Sequence, residues 1–362
     1  METYKTGLVL SGGGARGAYE VGVIKALARL NFEPQVVAGA SIGALNGAVV
    51  AASPTLGEAA ETLEAIWTGI DEDAAVRLDV QSTARLISLI GLHLALRIAL
   101  KANPVTFATF LATKPILKKF FTKTDKDFIA ILDSSPMEEL LAKSLDFERL
   151  LEPEGREFYV SVFPSKGGEL LGTVRDVIRW AGSQHESLFP RVKDFSQSDA
   201  VKLILASAAI PPALKAVSIQ DQVYRDGGMG GRVEEQGNTP MKPLADLGCK
   251  CVILVTLKQG ALWNRNEWPG LVPIEIRPLF DICNGYWIKS LFDFNPVRIR
   301  ELMRHGEEDA MRVLGDIAKG AYLVSDMRES QKELAQATKN DPEKEKEYEQ
   351  VMQALREQLT GL

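Results

Sequence analysis

The chain is poor in cysteine, in histidine and in positive charge. Its 362 residues include three cysteines and three histidines. Cys249 and Cys251 fall two apart in an apolar run, on one face of a strand, and read as packing residues; Cys283 stands alone. A metal centre needs more ligands at suitable spacing, so no metal is expected, and no disulfide is needed. Such usage suits a reducing compartment. The net charge of −6 argues against nucleic acid as a partner. There is no run of about 20 apolar residues, which predicts that no helix spans a membrane. The first strand is reached by about residue 6 with no basic segment, apolar signal core and cleavage site before it. The expectation is a cytoplasmic protein without a signal peptide. Internal repeats are also lacking.

What is present is a large apolar content, 46% of the chain, enough for one big core with appendages. Apolar runs predict strands at Lys5–Leu10, Gln35–Ala38, Phe158–Phe163, Val217–Tyr224, Cys251–Leu257 and Pro273–Ile276. Helical spacing predicts helices at Ala15–Leu30, Ile42–Ala52, Glu58–Ile70, Ala200–Ala208 and Arg298–Ala318. Alternation of the two predicts an α/β fold, a mainly parallel sheet between helical layers. Two stretches look added: a helical, apolar insertion at about 80–145, and a charged helical tail at 327–362. Strands and helices of the same domain are expected to continue through 246–326, before the tail.

Three short motifs each follow an apolar run. Gly12-Gly13-Gly14-Ala15-Arg16-Gly17 follows the first strand, Gly39-Ala40-Ser41-Ile42-Gly43 the second, and Asp226-Gly227-Gly228 a later one. Consecutive glycines free the backbone to turn N–H groups toward a bound oxygen, so Gly12, Gly13, Gly14 and Gly17 are candidates for an oxyanion-binding loop. Arg16 has three open readings: it orients that loop, holds a phosphate, or stands on a helix surface. Gly39 and Gly43 flank Ser41 at −2 and +2, which permits a strained strand-to-helix turn that lifts the hydroxyl clear. The following helix places Ser41 at a helix N-terminus, which favours developing negative charge. Asp226, at a strand end before Gly227 and Gly228, is the candidate base. A histidine triad is a poor alternative. His305 lies in a charged helical stretch, His185 in a loop, and the serine comes earlier than an α/β-hydrolase order requires. A Ser–Asp dyad fits better. The Gly12-x-Gly14-x-x-Gly17 spacing also fits a dinucleotide fingerprint, but Glu33, the only acid near the required place, precedes the second strand instead of ending it.

Taken together, the motifs resemble the patatin-like phospholipase family. The likeness extends to Ala206-Ser207-Ala208-Ala209-Ile210-Pro211-Pro212 and to Asn238 and Pro240, and covers about residues 6–245. It implies a patatin-like three-layer fold and lipid acyl hydrolase activity. It further implies Ser41 as nucleophile, Asp226 as base, an oxyanion hole in the Gly12–Gly14 loop, and chemistry without metal or cofactor. The substrates implied are phospholipids or lysophospholipids, cut through an acyl-enzyme. Acyl transfer by the same dyad, or an inactive lipid-binding module of the same fold, are the alternatives.

Residues 81–126 hold eight basic residues against one acid. Arg85, His93, Arg97 and Lys101 fall at multiples of four within a leucine-rich stretch, so a narrow basic face borders a wide apolar one. With Lys114, Lys118, Lys119 and Lys123 nearby, this predicts a peripheral contact with anionic membrane, against the alternative of a core-packed lid helix with a solvated stripe. Oligomeric state is not legible.

Overall fold

In the computed structural model, residues 5–70, 135–165, 176, 185–210, 214–231, 236–259, 263–264, 266–283, 290–291, 293–338 and 342–360 are described. The basic cluster from Arg85 to Lys126 lies outside them.

The first strand, β1 (Thr6–Leu10), feeds a 3₁₀ turn at Gly14–Gly17 and helix α1 (Ala18–Arg29). Strand β2 (Val36–Ala40) leads into α2 (Ile42–Ala52), and α3 (Leu56–Gly69) follows. Thr55 caps α3 by accepting from Glu58 N at 3.2 Å. Helices α4 (Ser135–Ser144) and α5 (Phe147–Leu150) precede strand β3 (Glu157–Ser165). Helix α6 (Gln197–Ser207) precedes the hairpin of β4 (Val217–Ile219) and β5 (Gln222–Asp226). The predicted single strand Val217–Tyr224 is therefore two. Gln220 takes a left-handed φ of 52° and reverses the chain, a polar turn without the usual glycine. Helix α7 (Lys242–Asp246), strands β6 (Cys251–Val255) and β7 (Val272–Ile276), and helices α8 (Pro296–Thr338) and α9 (Pro342–Thr360) complete the described elements.

Seven strands form one sheet in the order β4-β5-β3-β2-β1-β6-β7. The five from β3 to β7 are parallel, and the β4–β5 hairpin joins antiparallel at the β3 edge. The central strands β1 and β2 are almost wholly buried, as expected for parallel strands covered on both faces. In the sheet β1 lies between β2, the next strand of the chain, and β6, far along it, so the strand order reverses at β1 and makes the carboxyl ends of these strands the place for a ligand crevice. Cys249 packs in the core between α7 and β6, and Cys251 is half-buried.

The chain divides into two compact units, Met1–Ala310 and Met311–Leu362. In the first, α1 and the opening turns of α8 meet backbone to backbone. A Cβ on Gly22 would lie 1.8 Å from Met303 O, and one on Gly306 1.9 Å from Tyr19 O. Tyr19 Oη donates to Asp309 Oδ2 at 3.0 Å beside them. The second unit holds the rest of α8 together with α9, both helical and charged.

Candidate active site

Strand register assembles the site. Ala40 of β2 pairs with Ser161 of β3, and the next β3 residue, Val162, pairs with Asp226 of β5. Ser41, one residue beyond Ala40, and Asp226 are thereby brought to the same level across three strands. Both are buried, each 5% exposed.

Ser41 has φ 53° and ψ −122°, a conformation rare for a residue with a side chain. The surrounding structure enforces it. Gly39 and Gly43 close the turn so tightly that a Cβ on Gly39 would lie 2.3 Å from Gly43 O, and one on Gly43 2.3 Å from Leu10 O. Ser41 N donates to Ser207 Oγ at 2.8 Å, and Ser207 Oγ donates to Ser161 O at 2.6 Å. Ser207 thus ties the turn to β3 from the end of α6. The Ser41 hydroxyl makes no capping bond to α2, although it stands at that helix's N-terminus.

Asp226 Oδ1 accepts from Gly228 N at 2.8 Å. Burial pushes the carboxyl up from its ordinary value of 3.8 to about 7, while the Ser41 hydroxyl and the Gly228 amide act the other way. Asp226 Oδ2 is buried and has no partner at full hydrogen-bond geometry among the described residues. The serine–aspartate contact is therefore looser than a formed hydrogen bond. A lone buried oxygen beside a hydroxyl is equipped to take a proton.

The glycine loop lies against the same turn, with a Cβ on Gly12 falling 2.9 Å from Ser41 Cβ. Gly12 N donates to Asn238 Oδ1 at 3.1 Å, so this amide is already engaged. Arg16 is buried, not a helix-surface residue. Its Nε donates to Gly13 O at 3.0 Å, and Nη1 to Leu257 O at 3.1 Å and Cys283 Sγ at 3.0 Å. These bonds tie the loop to Leu257 and Cys283. At the loop's far end Asn46 Nδ2 donates to Gly17 O at 3.1 Å and to Glu20 Oε2 at 2.8 Å, while Asn46 Oδ1 accepts from Trp67 Nε1 at 3.0 Å. Glu20 is fully buried, and desolvation raises its pKa well above the ordinary carboxylate range against the pull of Asn46 and the Ser11 backbone.

Ser207 lies in the Ala206–Pro212 stretch of the family likeness, which does not say what it touches, while Asn46 and Glu20 stand in no motif. His305, in α8, has Nε2 2.9 Å from Arg304 Nη2. His185 is exposed, and its carbonyl accepts from Gly231 N at 3.0 Å. Glu33, the acid of the dinucleotide alternative, accepts from Leu56 N at 2.9 Å and pairs with Arg156. Among the described residues no group of three or more His, Cys, Asp or Glu side chains is placed to hold a metal ion.

The patatin-like phospholipase family model matches residues 8–233, which include the glycine loop, the Ser41 turn and Asp226. The chain belongs to this family. Two curated relatives match over short stretches. The lysophospholipase nte1 of Aspergillus terreus is 58% identical over 45 residues, 12% of this chain and 3% of that protein. The patatin-like phospholipase domain-containing protein ZK370.4 of Caenorhabditis elegans is 48% identical over 61 residues, 17% of this chain and 4% of that protein. This chain thus spans only a small fraction of these relatives. Among solved structures, VipD from Legionella pneumophila aligns at 14% identity and TM-score 0.39 over 87% of this chain and 67% of that one. The type III effector ExoU aligns at 16% identity and TM-score 0.38 over 87% and 53%. Membership of a lipid hydrolase family and a mostly parallel sheet between helices agree with the expectations from sequence. Among the described residues no helix is long and apolar enough to cross a membrane.

Proposed function

We propose that the chain is a serine lipid acyl hydrolase that cleaves carboxylic esters of phospholipids or lysophospholipids through a Ser41–Asp226 dyad, with residues 6–245 as its catalytic core. The observation that carries this reading is the strained, uncapped Ser41 turn set beside a buried carboxyl with one oxygen unpartnered. With Oδ1 held by Gly228, Asp226 Oδ2 takes the proton as Ser41 Oγ attacks the ester carbonyl. Amides of the glycine loop receive the oxyanion, aided by the N-terminus of α2. Asp226 returns the proton to the leaving alcohol, and the acyl-enzyme is opened by water activated in the same way. A carboxyl with a pKa of about 7 is poised for both halves of this cycle. No metal or cofactor is required for these steps. Water is the acceptor we favour; an alcohol acceptor would make the same machinery a transferase. Contact with a membrane is proposed through Arg97, Lys101, Lys114, Lys118, Lys119 and Lys123.

A fluorophosphonate probe tests the reading, because it reacts with a serine that is both activated and served by an oxyanion hole. Ser41 is expected to carry the label, and a p-nitrophenyl acyl ester to be hydrolysed. Label on another serine removes the proposed nucleophile. Binding of lipid without label or turnover would leave a lipid-binding module.

A further inference from the structure

The amide of Gly12 points at a side chain 226 residues away, Asn238, whose Oδ1 accepts at 3.1 Å. The same oxygen touches the other glycine turn of the site. A Cβ on Gly228 would lie 3.1 Å from Asn238 Oδ1 and 3.0 Å from Asp226 Oδ1, and a Cβ on Gly12 would lie 2.6 Å from Asn238 Oδ1. One carboxamide is therefore bonded to the loop beside Ser41 and lies close against the turn that carries Asp226. Its own backbone is anchored. Gly237 N donates to Gly230 O at 3.1 Å, Gly237 O accepts from Ser161 Oγ at 2.6 Å, and Thr239 beyond is buried.

This contact decides which loop amides remain for substrate. The Gly12 amide is committed to Asn238. The Gly13 carbonyl is drawn toward Arg16 Nε at 3.0 Å. In a trans peptide the carbonyl and the following N–H point opposite ways, so the Gly14 N–H faces away from Arg16. We infer that Asn238 is a positioning residue, which takes Gly12 N–H out of oxyanion binding and fixes the loop so that the Gly14 N–H is left to face the carbonyl that Ser41 attacks. This rests on the acyl hydrolase reading above.

The test compares wild type, Asn238→Ala and Asn238→Asp on a soluble p-nitrophenyl butyrate and on a long-chain trifluoromethyl ketone, whose Ser41 adduct carries an oxyanion. Rates are normalised to the sites that fluorophosphonate titrates. Loss of the acceptor lets the loop move by an ångström or so, and a misplacement of that size lowers turnover about 100-fold. Asn238→Ala is expected to lose kcat by that factor with KM within about twofold, and ketone affinity is expected to fall in parallel with kcat/KM. Asn238→Asp keeps an acceptor for Gly12 and is expected to retain ketone affinity, while its charge beside Asp226 moves the kcat pH profile upward. Normal kcat per titrated site in Asn238→Ala would overturn the inference. So would a loss of ketone affinity in Asn238→Asp equal to that in Asn238→Ala, the second variant deciding the matter if the first does not fold. A wild-type protein that neither labels nor turns over overturns the hydrolase reading and this inference together. Wild-type turnover with unaltered Asn238 variants overturns this inference alone.

Discussion

Asp226→Asn is expected to make the protein more stable and less active, with the gain in stability set by pH. The Asp226 carboxyl has a pKa of about 7 in the folded protein because burial disfavours its charged form, against an ordinary value of 3.8. Below the ordinary value both folded and unfolded chains hold the proton, and the residue has no pH-linked effect. Between 3.8 and about 7 the folded chain still holds a proton that the unfolded chain has released, so stability declines as pH rises. Above about 7 the decline is complete. The separation of the two values corresponds to up to about 4 kcal/mol. Asparagine does not titrate; its oxygen can accept from Gly228 N, and its amide can donate to Ser41 Oγ. The variant's advantage over wild type is therefore expected to grow from near zero at pH 4 to as much as about 4 kcal/mol at pH 8. Urea unfolding of both proteins across this range measures it, and turnover at pH 8 is expected to fall at least about 10³-fold for want of a base. An advantage that stays flat with pH, or a variant less stable at pH 8, would refute the claim that a desolvated carboxylate sits beside Ser41.

Two further outcomes follow from other contacts. Ser207→Ala leaves Ser41 N and Ser161 O buried without their hydroxyl partner, and is expected to cost about 1–3 kcal/mol in urea unfolding together with a loss of fluorophosphonate labelling rate. Full stability in that variant would show that the Ser41 turn holds itself. Replacing Lys118, Lys119 and Lys123 with Gln is expected to lower sedimentation with anionic vesicles by roughly two orders of magnitude at low salt, at about 1 kcal/mol per residue near the surface. Hydrolysis of a soluble ester should be spared, and unchanged sedimentation would reduce the cluster to a solvated face.

The parts of the fold legible in the sequence are those where local rules agree. Leu8, Val9 and Leu10 form an apolar run that ends in glycines, and Val36 to Ala38 repeat the pattern ahead of Ser41, so strand, turn and helix could be placed with their chemistry. The β4–β5 turn was hidden because Gln220 adopts its positive φ without being glycine or asparagine. The long helix α8 begins two residues before the predicted start. Asn295 Oδ1 accepts from Val297 N at 3.0 Å, and Pro296 occupies the first turn, both cap signals present in the sequence. It runs on through the gap between the expected Ala318 end and the helical tail expected from 327, and stops at Thr338, because Gly315 and Gly320 weaken the pattern without ending the helix. Within the site, the motifs marked Ser41, Asp226 and the glycine loop; the stretch around Ser207 was marked by resemblance, but its contact with Ser41, 166 residues away, was not legible. Likewise Glu20 and Arg16 have the composition of exposed helix residues, and only the packed structure shows them inside.

The crossing of α1 and α8 has a consequence for how such a chain can change over generations. Any side chain at Gly22 or Gly306 would begin 1.8–1.9 Å from a carbonyl oxygen of the facing helix, against the 3.0 Å below which real contacts essentially never fall. The two helices would have to separate by roughly 1 Å to admit a single methyl group, and close-packed interiors resist such shifts. Neither position can therefore be altered first and repaired later. Lineages descending from this sequence are free to vary the outer faces of both helices. They inherit two small positions at which the route to larger residues is closed, one of them on the helix that starts directly after the loop bordering Ser41.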